Sequence, residues 1–223
     1  MIDAVIKVGG SLGRGACLPE LGTRLAELGR GRGLLAVPGG GASADVVREY
    51  DARFCLRPST AHWMAVLAMD QYGHLLADLV PGCTLVRSLG EARECLAGGG
   101  VAVLLPSELL RDADALPHSW SVTSDSIAAW LTGVVGARLL VLLKDRHGMT
   151  GLASAASAAS PAPPGALTLA ELAASPGVDG HLAELLGDPA FDLWIVDGGR
   201  PELLTELLET GKTEGVRLAR PGL

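Results

Sequence analysis

Three times in this chain a short apolar run stops abruptly in glycine: AVIKV before Gly9 and Gly10, GLLAVP before Gly39 to Gly41, and LWIVD before Gly198 and Gly199. Apolar runs this continuous, bounded by turn residues, predict strands buried on both faces, and such strands belong to parallel sheets covered by helices. Between them lie stretches of helical spacing. In Leu18 to Leu28, four leucines (18, 21, 25 and 28) share one side, with Glu20, Arg24 and Glu27 elsewhere. Strand, glycine, helix in repeated succession is the rhythm of an α/β domain. Composition agrees, because 48% of residues are hydrophobic and only 4% aromatic. Such a core is built of Leu, Val and Ala rather than the aromatics of a sandwich.

The same reasoning places further strands at Thr84 to Val86, Val101 to Leu105, Ala137 to Leu143 and Leu193 to Val196, with a last one in the GKTEGVRL tail. Helices are expected over Thr60 to Leu79, Leu89 to Leu96, Leu167 to Ala173, His181 to Leu186 and Pro201 to Leu208. A further helix opens at Ser124, with Thr123 or Ser124 as its cap. Residues after Pro106 read as a polar bend. The Ala/Ser/Pro stretch at 151–166 reads as a flexible loop, although an Ala-Ser run also forms helix. At 223 residues the chain is expected to be one domain, 1–223.

Composition also narrows the partners. A net charge of -7 offers no basic surplus for a phosphate backbone, so no nucleic-acid partner is expected. No apolar run reaches bilayer length and the amino terminus lacks a signal layout, so neither membrane nor export is expected. Cys17, Cys55, Cys83 and Cys95 are scattered without a CxxC pair. That spacing predicts reduced, buried thiols in a cytoplasmic protein, with neither zinc site nor disulfide framework.

Small anionic ligands remain open, since glycine amides and single lysines bind them locally. Glycines at the ends of parallel strands either make tight turns or let a ligand approach the backbone, at the edge where open α/β sheets bind theirs. Neither GxGxxG nor GxxxxGK[ST] is present. Lys7, inside an apolar strand, is either an edge lysine or a cation carried past the strand end to neutralise a transferring phosphoryl group. Lys144 follows another apolar run and offers a second cation, or is a loop lysine. Asp125 sits at a helix start, as a first-turn charge or as a carboxylate orienting Lys7 or a magnesium-bound phosphate; Asp145 carries the same ambiguity. His118 and Trp120, in DALPHSWSVTSDS, either line an acceptor pocket or pack. Arg48, Asp51 and Arg53 either meet a charged acceptor or form a helix-end cluster. His62, His74, His147 and His181 lack metal-ligand spacing and read as structural or surface groups, so no metal site is expected on the protein.

In order, KVGGSL, PGGG, TSDSIAAWL, LLVLLKDRHGM and GKTEGVRL resemble the amino acid kinase family, which includes aspartokinase, acetylglutamate kinase and uridylate kinase. The resemblance spans essentially the whole chain. It implies a three-layer α/β/α sandwich with a mainly parallel central sheet, ATP and Mg2+ as phosphoryl donor and cofactor, and a homo-oligomer. By motif, Lys7 and Asp125 would be catalytic. Gly9, Gly10, Ser11, Lys144, Asp145 and Gly148 would hold the nucleotide, and Gly39, Gly40 and Gly41 the acceptor. Two departures matter: KDRHGM keeps Asp145 and Gly148 but changes the residues between, and the G-G-M-x-x-K segment that brings a second catalytic lysine in acetylglutamate kinase has no clear match between Ser175 and Gly187. The second turns attention from acyl phosphates to phosphate acceptors. HSWSVTSDSIAAWL further resembles the methanofuran-pathway kinase subgroup, which phosphorylates aminomethylfuranyl-methyl phosphate to its diphosphate. By that resemblance His118 and Trp120 would be acceptor-pocket residues, and Asp51, an acid near the second glycine loop, would meet the aminomethyl group. The alternatives are a nucleoside monophosphate or amino-acid carboxylate acceptor on the same fold, or a non-catalytic nucleotide-binding or storage protein.

Overall fold

The computed structural model describes residues 1–157, 165–187 and 190–219. Its centre is an eight-stranded sheet: β1 (Ala4–Val8), β2 (Gly33–Pro38), β3 (Thr84–Val86), β4 (Gly100–Leu104), β5 (Leu139–Lys144), β6 (Ala166–Leu167), β7 (Asp192–Asp197) and β8 (Val216–Leu218). They lie in the order β3-β4-β2-β1-β5-β7-β8-β6, and only the β7–β8 pairing is antiparallel. The mainly parallel sheet expected from the apolar runs is therefore present.

Helices cover both faces. On one side β1, β2 and β5 present Ile6, Val8, Leu34, Ala36, Val141 and Leu143 to α1 (Leu18–Leu28) and α10 (Pro201–Thr210). On the other, Val5, Leu35, Val37, Leu140 and Leu142 meet α6 (Ser124–Val135) and its neighbours. The buried leucines of α1 are those that its spacing put on one side. Each contributes about 1.5–3 kcal/mol on burial, which outweighs local propensity in deciding that the segment is helical. The sheet neighbours of β1 fix where its lysine sits. Lys7 is opposite Val37 of β2 and Leu142 of β5, one residue from the carboxyl end of the strand.

The remaining helices are α2 (Gly41–Phe54), α3 (Pro58–Leu79), α4 (Leu89–Cys95), α5 (Ser107–Ala113), α7 (Arg146–Ser157), α8 (Leu169–Ala174) and α9 (Leu182–Leu186). Four sequence expectations need correction. The bend after Pro106 is α5, which buries Leu110 beneath a polar exterior. Ala166–Leu167 forms a short strand, and helix begins only at Leu169, after the Thr168–Glu171 capping box. The stretch expected as a loop at 151–166 is helical through Ser157, and residues 158–164 lie outside the described residues. The four cysteines are free, but none is buried: three are half-buried and Cys55 is exposed.

Candidate active site

β1, α6 and β5 bring three charges together. Asp125 is the second residue of α6, and its Oδ1 lies 2.8 Å from Lys7 Nζ. That contact is an ion pair rather than an aligned hydrogen bond. Lys144, the last residue of β5, donates to the other carboxylate oxygen, Oδ2. Both members of the Lys7–Asp125 pair are almost wholly buried, at 5% and 2% exposure. Burial lowers the Lys7 pKa; Asp125 opposes that shift and the second ammonium adds to it. For Asp125, burial pushes the pKa up, but the ammonium groups of Lys7 and Lys144 prevail and hold it at about 2. The cluster carries one net positive charge at the carboxyl edge of the sheet. Each carboxylate oxygen of Asp125 thus faces one ammonium group.

The glycine loops touch each other. A methyl group built on Gly10 would stand 2.2 Å from Gly41 N, and one on Gly39 would stand 2.5 Å from Gly10 N. Gly9 donates its N–H to Leu143 O at 3.0 Å, where a side chain would meet that carbonyl at 2.6 Å. Gly41 also has φ +57°. Backbone contact between the loops after β1 and β2 thus accounts for Gly10 and Gly39, and contact with β5 for Gly9, whatever ligand also approaches them. Tyr72 of α3 lies beneath, donating to Gly9 O at 3.2 Å, and burial raises its pKa. Gly198 packs its backbone on Leu12.

Two cavities open on this edge and share Ser11 and Arg14 of the 3-10 turn Gly10–Arg14. The first, about 530 Å3, lies over α2 and α3. It gathers Gly10, Gly40 and Gly41 with Asp51, His118 and Trp120, and has an apolar wall including Val66, Met69 and Ile127. Trp120 Nε1 donates to Asp51 Oδ2 at 2.6 Å, and Arg48 lies 4.7 Å above the same ring. Asp51 Oδ1 accepts from Leu56 N at 3.0 Å. His118 is stacked on His62, centroids 4.5 Å apart, and Nε2 meets Asp114 Oδ1 at 2.8 Å. The second cavity, about 710 Å3, is bordered by Asp145, Arg146, His147, Asp197 and Arg200. Asp145 accepts from Gly148 N at 2.8 Å, and that bond is the main reason its pKa is lowered.

Of the expected residues, Gly10, Gly40, Gly41, Asp51, His118 and Trp120 line the first chamber, Asp145 the second and Ser11 both; Lys7, Asp125 and the half-buried Lys144 form a separate group, and Gly9, Gly39 and Gly148 line neither chamber. Sequence reasoning set aside two histidines that border the cavities: His62 in the first and His147 in the second. Burial and then His118 lower the His62 pKa. It also missed Arg14, paired with Asp45 and facing both chambers. Its one available signal was a cation four residues after Gly10. Among the described residues no three His, Cys, Asp or Glu are grouped to hold a metal ion. Among them, too, no helix is long and apolar enough to cross a membrane.

Comparison with known proteins agrees with the fold. Residues 4–151 match the model of the amino acid kinase family. A curated relative, the [5-(aminomethyl)furan-3-yl]methyl phosphate kinase of Methanocaldococcus jannaschii, is 26% identical over 211 residues, covering 92% of each chain. Among solved structures, the uridylate kinase of Archaeoglobus fulgidus superposes with a TM-score of 0.72 at 16% identity, covering 98% of this chain and 100% of the other. The UMP kinase of Bacillus anthracis gives 0.70 at 12%, covering 99% and 96%. These two share the fold: a mostly parallel sheet with helices on both faces. By the family match over residues 4–151, about two thirds of its length, this chain belongs to the amino acid kinase family.

Proposed function

We propose that this kinase transfers the γ-phosphoryl group of ATP to a small phosphate monoester, [5-(aminomethyl)furan-3-yl]methyl phosphate, giving the corresponding diphosphate. The observation that carries the reading is the Lys7–Asp125–Lys144 cluster at the carboxyl edge of the sheet, with Ser124 beside it in the lining of the first cavity and Asp145 beside it in that of the second. The nature of the acceptor rests on the Methanocaldococcus relative and on the lining of the first cavity. An acidic group backed by Trp120 suits a primary ammonium, and the apolar wall suits a furan ring.

An acceptor phosphate oxygen attacks the γ-phosphorus in line. A new oxygen–phosphorus bond forms, the bond from the γ-phosphorus to the β,γ-bridging oxygen breaks, and ADP leaves with that oxygen. No general base is required, because a phosphate monoester, with its second pKa at about 6, is largely dianionic near neutrality. Asp125 serves as a fixed anion that keeps two ammonium groups side by side without solvent. Lys7 and Lys144 offset charge on the transferring group, and the backbone of Gly9 and Gly10 lets phosphate oxygens approach closely. Magnesium, when bound on the triphosphate, neutralises phosphate charge.

The test is purified protein with ATP and Mg2+ against the furan phosphate, UMP and amino-acid carboxylates, with product mass read directly. A gain of one phosphoryl unit on the furan phosphate alone is expected. Transfer only to UMP or to a carboxylate would overturn the acceptor assignment, and ADP release with none of them would leave a nucleotide-binding protein. Lys7→Ala should lower turnover by about tenfold or more while leaving the fold intact; near-normal turnover would remove Lys7 from the mechanism.

A further inference from the structure

Asp179, in the loop between α8 and α9, is a buried acid at 9% exposure, and the chemistry described so far does not use it. Among the described residues it receives five hydrogen bonds. Oδ2 accepts from Thr123 N (2.9 Å), Thr123 Oγ1 (2.8 Å) and Ser126 N (3.0 Å). Oδ1 accepts from the Ser126 hydroxyl and from Leu182 N (2.9 Å). A carboxylate has about four lone-pair sites, so this one is saturated and has no capacity left to act as a base or to hold a metal.

Those donors are not scattered. Four of the five belong to Thr123 and Ser126, which flank Asp125 at the amino end of α6, where the first-turn N–H groups have no partner within the helix. The Thr123 hydroxyl, while donating to Asp179, also accepts from Asp125 N at 3.4 Å. A neighbouring bond, His181 N to Ser121 O at 3.1 Å, ties the same two segments together. We infer that Asp179 is a positioning residue for phosphoryl transfer: by clamping the first turn of α6 to the start of α9, it fixes the Asp125 carboxylate between Lys7 and Lys144. Charge adds to geometry. Lys7 faces Asp125 from α6, Lys144 from β5 and, at longer range, Asp179, whose charge favours the protonated ammonium. Two lysines and two aspartates leave the whole group neutral.

The catalytic consequence rests on the proposed function, but the effect on Lys7 does not. The test is Asp179→Asn, which keeps the shape but must turn an NH2 group toward N–H or O–H donors on one side. The first readout is the Lys7 titration, followed by NMR of 13C,15N-lysine-labelled protein, which needs no substrate; it should move to lower pH. The second is kinetic: kcat should fall by about tenfold to a hundredfold with both KM values within about twofold, the pattern of misplaced catalytic groups rather than lost binding. Leu186→Ala, which removes core packing from α9, serves as the control and should lower Tm without moving the Lys7 titration. Should Asp179→Asn not fold, Thr123→Val cuts the link to Asp125 N and should shift Lys7 in the same direction. A Lys7 titration and kcat in the folded variant equal to those of the control would overturn the inference. Failure of the wild-type protein to phosphorylate the furan phosphate would instead overturn the acceptor assignment, leaving the Lys7 result standing.

Discussion

Replacing Asp125 by Asn tests the electrostatic design of the site most directly. The change keeps size and shape but leaves Lys7 and Lys144 without the anion between them, raising the local charge of the three side chains from one to two positive. Lys7 is 5% exposed, so water cannot take the place of the lost partner. Leaving a buried charge uncompensated costs about 3–5 kcal/mol. At about 2–4 °C per kcal/mol for a chain of this size, Tm should fall by roughly 6–20 °C. The acid side gives an independent check. Asp125 has its pKa lowered from 3.8 to about 2. Its contribution is therefore complete above 3.8 and is lost as pH falls through about 2, a difference worth about 2 kcal/mol. The Tm gap between wild type and Asp125→Asn should be steady from roughly pH 5 to 8 and narrow below that window. Calorimetry on wild type, Asp125→Asn, Lys7→Met and the double variant completes the cycle. Adding Lys7→Met to Asp125→Asn should restore stability by removing one of the stranded cations. Further destabilisation by Lys7→Met, or a coupling below about 0.5 kcal/mol, would show that the two side chains do not depend on each other.

Other substitutions separate the chambers. Gly10→Ala places a methyl 2.2 Å from Gly41 N, a backbone atom that cannot step aside alone. It should lower both Tm and turnover, the latter by about tenfold or more, and unaltered kinetics would show that the loops have slack. Trp120→Phe keeps an aromatic face for Arg48 but removes the N–H donated to Asp51. The acceptor KM should rise by about fivefold to tenfold with the ATP KM unchanged, measured by initial rates at saturating partner.

Much of this was legible because it depends on local pattern. Each strand before a glycine cluster is an apolar run of definite length, and Lys7 is conspicuous within one. Asp125 is conspicuous after Thr123 at a helix start. The second lysine was less evident, because the familiar downstream segment is missing. Lys144 reaches Asp125 because β5 lies beside β1 in the sheet, an adjacency that follows from topology rather than sequence spacing. Asp179 was not legible at all. VDGHL has the look of an ordinary turn, and its acceptor role depends on donors 53 and 56 residues away. His62 was set aside for lack of a metal pattern, whereas its place beside His118 comes from the packing of α3 against the 114–126 segment. The helical run to Ser157 illustrates a composition with two permitted outcomes, where propensity alone does not choose.

The contact between the Gly10 and Gly41 loops has a thermodynamic consequence. Gly10 borders the first chamber together with Ser11, which also borders the second, and there is no side-chain layer between the two backbones to absorb a displacement. A ligand that settles one loop also settles the other. Occupancy of either chamber should therefore change affinity in its neighbour, and by reciprocity the factor must be the same in both directions. Titrating each ligand with and without the other would measure that factor, and a loosened Gly10–Gly41 contact should bring it toward unity. The glycines would then act as a mechanical linkage, making two substrates report on each other before any phosphorus moves.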